Sequence, residues 1–127
     1  FIVQEQEERY HGMRFFNYIN ERGGEVKIHG LDQPETEFSS IVEIFEKSLH
    51  HERLVTSRIN DLMTLAREEN DYATQDFLQW FVREQVEEEA SIDSLLKKIQ
   101  LVGGKGEGML MLDNELAQRT FTPPSEE

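Results

Sequence analysis

The feature that most constrains this chain is a helix-period apolar stripe with polar residues set into it. At about 100° per residue, Phe77, Phe81, Gln85, Glu88, Ile92, Leu95 and Ile99 fall within roughly 40° of one another and so share one helix face. An amide, Gln85, and a carboxylate, Glu88, interrupt that face, and Glu84 and Glu87 lie on one shoulder of it. A carboxylate turned into a core is costly unless something positive compensates it. No Lys or Arg shares the stripe, so the cation must come from another helix or from solution. Acidic runs are usually solvated faces, so the weight of this observation depends on whether other helices bring further carboxylates to meet Glu88.

Two do. A first helical stretch runs from the start of the sequence to about Glu21, where Arg22-Gly23-Gly24 stops it. Measured from Glu8, residues Phe1, Phe15 and Ile19 lie within roughly 20° and His11 about 60° away, with Glu7 to one side of His11. The spacing Glu8-x-x-His11 lets one helix offer a carboxylate and an imidazole to the same metal ion; a solvated surface pair is the competing reading. The second helix starts at Ser40, with Glu43 completing a capping box. Around Glu52, residues Ile41, Phe45, Ser48, Ile59, Met63 and Ala66 lie within about 40°, so Glu52 takes a core position halfway along a helix of about 29 residues. His50 and His51 fall about 100° or more off that stripe and read as surface or partner-facing residues.

The connections set the topology. Glu68-Glu69-Asn70-Asp71 is a short turn with Asp71 as N-cap, so the second and third helices are expected to pack antiparallel. Residues 25–39 lack periodicity and contain Pro34; at about 3.3 Å per residue they span up to about 50 Å. That is enough for a crossover that leaves the helices on either side parallel. The third helix is expected to end near Val102 at Gly103-Gly104-Lys105-Gly106, followed by a short helix from Met109 to Arg119. Residues 1–119 thus form one all-α domain, and 120–127 read by composition as a disordered tail.

Glu8, Glu52 and Glu88 therefore each place a carboxylate near mid-length on an apolar face. Several carboxylates, one imidazole and one amide suit a pair of hard divalent ions about 3–4 Å apart, bridged by a carboxylate. Calcium loops of the Asp-x-Asp kind are absent, and the lack of cysteine argues against structural zinc or copper. It also rules out disulfides and fits a reducing compartment, so a cytoplasmic location is expected. A net charge of −13 repels nucleic acid and anionic lipid and draws cations inward. No signal peptide, transit peptide or transmembrane run is apparent.

Glu7-Glu8-Arg9-Tyr10-His11-Gly12-Met13, Phe77-Leu78-Gln79-Trp80-Phe81-Val82 and Glu84-Gln85-Val86-Glu87-Glu88-Glu89 closely resemble the non-haem bacterial and archaeal ferritins. Phe15-Phe16-Asn17-Tyr18-Ile19 before Arg22-Gly23-Gly24, and Gly106-Glu107-Gly108 before the last helix, extend the resemblance over nearly the whole chain. It implies a ferritin-like four-helix bundle with a long crossover, to which this chain supplies three long helices and a short C-terminal one. The implied activity is ferroxidase: Fe²⁺ is oxidised and stored as ferric mineral in a homo-oligomeric cage, usually of twenty-four subunits. Carried across, Glu8 matches the bridging ligand, His11 the imidazole of the first iron, and Glu52 and Glu88 ligands of the second. Gln85 matches the amide that helps seat dioxygen or a water, while Glu7, Glu84 and Glu87, sharing Glu88, match a third iron site. Gln85-x-x-Glu88 replaces the second Glu-x-x-His of bacterioferritins and rubrerythrins, and Met13 lies two residues past His11, so no haem is expected.

Phe1-Ile2-Val3 already reads as helix interior, and the family's first helix, which brings a terminal Glu and a nearby Tyr to the first iron, has no counterpart here. The expectation is that upstream sequence is missing, cleaved or engineered away, or that a helix is supplied in trans by another polypeptide or subunit. Three apolar stripes facing an open groove would expose more apolar surface than monomers tolerate. The alternatives to iron oxidation are a shell subunit that assembles without redox chemistry and a generic helical interaction domain.

Overall fold

Four helices and no strand make up the regular structure of the described residues, 1–123, in this computed structural model. They are α1 (Ile2–Glu21), α2 (Ile41–Glu68), α3 (Tyr72–Leu101) and α4 (Glu107–Ala117). The all-α expectation is met, with the short helix beginning and ending two residues earlier than its sequence signals indicate. Residues 124–127 of the expected tail lie outside the described residues. The chain divides into two units, Glu37–Leu112 and Phe1–Thr36 with Asp113–Glu127.

The first unit is built on α2 and α3. Their antiparallel course shows in the pairs that bridge them: as the α2 partner falls from Ala66 through Thr56 to Glu52, the α3 partner rises from Gln75 to Gln85. The turn between them uses Asn70, at φ 55°, as its left-handed residue, with Asp71 N–H donating to Ala66 O at 2.8 Å. Asp71 then caps α3 by accepting from Thr74 N–H.

Along α2 the inward positions Phe45, Leu49, Glu52, Thr56, Ile59, Met63 and Ala66 alternate steps of four and three; along α3 the buried Leu78, Phe81, Gln85, Glu88, Ile92, Leu96 and Ile99 follow steps of three and four that also average about 3.5 residues. This 3.5-residue period corrects the expected stripes. Leu49, Leu78 and Leu96 are buried, whereas Ser48, Phe77 and Leu95 are only half-buried. A straight 3.6-residue wheel drifts by about 20° per heptad from the seam that a packed helix pair keeps. Past α3, Gly108 is pressed against Val102, where an added Cβ would stand 2.8 Å from the valine Cβ.

The start of α2 departs from the expected capping box by one residue. Ser40 Oγ accepts from Glu43 N–H at 3.1 Å, but the Glu43 carboxylate reaches back to Ser39 N–H at 2.7 Å rather than to Ser40. Lys47, 2.8 Å from Glu43, and then Ser39 hold the Glu43 carboxyl well below its ordinary range, at about 2. A carboxyl lowered on folding stabilises fully above its unfolded value and loses that contribution as pH falls through the folded one. The melting-temperature difference between wild type and Glu43→Gln is therefore expected to narrow as pH falls from 4.5 to about 2. A difference that stays constant across that window, in parallel melts, would contradict this.

In the second unit, α1 ends in a Schellman turn: Gly23 sits at φ 74° and Gly24 N–H donates to Ile19 O at 2.8 Å. No α1 residue is fully buried; Phe15 and Ile19 are half-buried, whereas Phe1 and Glu8 are exposed. Residues 118–123, beyond α4, hold on to α1: Arg119 Nη2 lies 3.1 Å from Glu7 Oε2, and Phe121 packs on Tyr10 with ring centroids 6.1 Å apart. Residues 24–40, between α1 and α2, form no helix or strand. No helix among the described residues is long and apolar enough to cross a membrane.

Candidate metal centre

The apolar seam of α2 and α3 is interrupted at one level. There Glu52 (5% exposed), Gln85 (4%) and Glu88 (8%) are buried, as are Phe81, Ile59 and Ile92 on the same two helices. Regular helix geometry puts them there: steps of four and three from Leu49 and Leu78 land on Glu52, Gln85 and Glu88, as they land on leucine and isoleucine elsewhere.

Gln85 joins the two helices. Its Nε2 donates to Glu52 Oε2, to Glu52 O and to Thr56 Oγ1, each at 3.2 Å. Thr56 Oγ1 in turn donates to Glu89 Oε1 at 2.6 Å, and Arg53 Nε stands 3.8 Å from Glu89 Oε2. Glu84 and Glu88, one helical turn apart, bring carboxylate oxygens within 4.8 Å of each other. Glu84 is half-buried and Glu87 exposed, as shoulder positions should be. Oxygens of this kind, close together and shielded from water, attract a hard cation, since mutual repulsion between them falls when one binds.

On α1, the Glu8-x-x-His11 pair is formed locally. Glu8 Oε2 lies 3.8 Å from His11 Nδ1, too far for a hydrogen bond, and Glu8 Oε1 accepts from Gln4 Nε2 at 3.3 Å. The His11 side chain is 13% exposed and that of Glu8 47%. Glu7, assigned by resemblance to a third iron site, is ion-paired with Arg119. His50 and His51 are exposed, in keeping with their place off the α2 stripe.

Thr56 and Glu89 escaped the reading of the sequence. Thr56 does carry a signal, since on the helix wheel it lies about 40° from Glu52, as near as Ser48. Glu89 carries no signal of its own within an acidic run, and only the threonine opposite distinguishes it.

The family model described as a ferritin-like domain matches residues 1–102. This chain belongs to the ferritin family. Its relatives include the bacterial non-heme ferritin of Staphylococcus aureus (strain MRSA252), 42% identical over 121 residues, which cover 95% of this chain and 73% of that protein. That of Staphylococcus saprophyticus is also 42% identical, over 95% of this chain and 72% of the relative. Among solved structures, a humanized archaeal ferritin superposes with a TM-score of 0.93 at 45% identity, over 95% of this chain and 73% of the other. An open pore ferritin from the hyperthermophilic archaeon Archaeoglobus fulgidus gives 0.90 at 45%, over 93% and 73%. The ferritin-like four-helix bundle is thus the fold, and iron storage is the general business of the family.

Proposed function

We propose that this ferritin oxidises Fe²⁺ at a dinuclear carboxylate centre and stores the product as ferric mineral inside a self-assembled cytoplasmic cage. The observation that carries the proposal is the burial of Glu52, Gln85 and Glu88 at one level of an otherwise apolar seam. Burying carboxylates is expensive, and a resident cation is the simplest compensation. In this reading Glu8 bridges two Fe²⁺ ions, His11 completes the first site, Glu52 and Glu88 hold the second, and Gln85 sits beside both. Iron is the substrate. The two ions give up one electron each, and dioxygen as oxidant takes both electrons, with two protons from water, to become hydrogen peroxide. Carboxylates favour the step because they hold Fe³⁺ more strongly than Fe²⁺, and they still release it inward. The acidic surface, with a net charge of −13, raises the local Fe²⁺ concentration.

Glu7, Glu84 and Glu87, sharing Glu88, form the proposed third site, which takes iron after the first reaction. Glu84→Ala and Glu87→Ala are expected to spare the initial two-iron phase while altering stoichiometry and later turnover. Stopped-flow absorbance of the ferric product separates the phases. Loss of the first phase in either variant would move these residues into the primary centre. A shell subunit without redox chemistry would assemble normally and oxidise Fe²⁺ no faster than buffer.

A further inference from the structure

We propose that Thr56 and Glu89 are positioning residues that lock the Gln85 amide with its nitrogen on Glu52 and its oxygen offered to the bound ion or that ion's water. The proposal rests on the reading of Glu52 and Gln85 as iron-site residues. An amide can present nitrogen or oxygen to a neighbour, and a hydroxyl can donate or accept; an ionised carboxylate only accepts. The polarity of the chain is therefore set from its outer end.

Glu89 Oε1 accepts a hydrogen bond from the Thr56 hydroxyl at 2.6 Å, so Thr56 Oγ1 meets Gln85 as an acceptor. Gln85 must then turn Nε2 toward α2, where it also finds Glu52 O and Glu52 Oε2 at 3.2 Å. The opposite orientation would set Gln85 Oε1 against three oxygens, those of Glu52 O, Glu52 Oε2 and Thr56 Oγ1. All three bonds of the amide run from Nε2, which leaves Oε1 as its remaining polar atom, a hard oxygen donor of the kind that suits Fe²⁺. The same bonds restrain one oxygen of Glu52. Half-buried Thr56 and Glu89 thus act on the ion only through Gln85 and Glu52.

The test is an anaerobic Co²⁺ titration, read by visible ligand-field absorption, on wild type, Thr56→Val, Glu89→Ala, the double variant and Thr56→Ser. Partners that orient metal ligands typically change affinity by about 10–100-fold. Thr56→Val and Glu89→Ala are each expected to weaken Co²⁺ binding by about tenfold and to change the absorption band shape. Because both act through one chain of hydrogen bonds, the double variant should lose about tenfold rather than about a hundredfold. Thr56→Ser, which keeps the hydroxyl, should bind as wild type does. Circular dichroism reports folding, and Glu89→Ala, at a half-exposed position, carries the test alone should Thr56→Val unfold. Wild-type affinity in the single variants, or losses that multiply in the double, would overturn the lock and leave the iron site standing. A wild-type chain that binds no Co²⁺ would overturn the iron-site reading, and the lock with it.

Discussion

Replacing Glu52 by Ala is expected to lower the rate of Fe²⁺ oxidation by at least about a hundredfold while leaving helix content unchanged. Outer partners of metal ligands already cost about 10–100-fold when removed, and Glu52 is proposed as a ligand itself. The fold should tolerate the change. Gln85 Nε2 keeps the backbone oxygen of residue 52 and Thr56 Oγ1 as acceptors, so no buried donor is orphaned. Without metal, removing a carboxylate that is 5% exposed relieves desolvation and repulsion, so the apo melting temperature should hold or rise. Stopped-flow oxidation and apo thermal melts check both halves. An unchanged rate would remove Glu52 from the centre.

Leu78→Ala is expected to have the largest effect on stability. Leu78 is 1% exposed at the start of the α3 seam, next to a cluster in which Trp80 and Phe77 pack on Phe81 at 4.8 and 5.3 Å. Truncating a buried leucine costs about 2–5 kcal/mol through lost transfer energy and the cavity left behind. Against a typical total of about 5–15 kcal/mol, that is a large share. In urea the midpoint should fall with the slope unchanged. Leu101→Ala, at a position 87% exposed, should stay within about 0.5 kcal/mol of wild type. Equal midpoints for the two variants would show that the seam is not where the stability lies.

The sequence carried the helices well because their ends are marked by local chemistry. Gly23, Ser40 and Asp71 each terminate or cap where their side chains or backbone freedom require it. Glu52, Gln85 and Glu88 were legible for a different reason: a polar residue on an apolar stripe is conspicuous whatever the exact period. Which edge of each stripe is covered was not legible from one helix, because the partner decides it; hence Leu49 and Leu78 are buried where Ser48 and Phe77 are only half-buried. Thr56–Glu89 and Glu7–Arg119 were invisible for a related reason. Each joins residues far apart in the chain, and the types involved are ordinary on any acidic helix surface.

The central claim is that Fe²⁺ is bound in pairs and oxidised there. The most direct measurement loads the anaerobic protein with increasing Fe²⁺, adds dioxygen, and follows ferric absorbance together with the iron that co-elutes with protein on gel filtration. The expected result is a fast phase that saturates at two Fe²⁺ per chain, with later additions oxidised more slowly and retained as ferric mineral with the protein. Oxidation at the rate of protein-free buffer, with no break at two and iron precipitating apart from the protein, would contradict it.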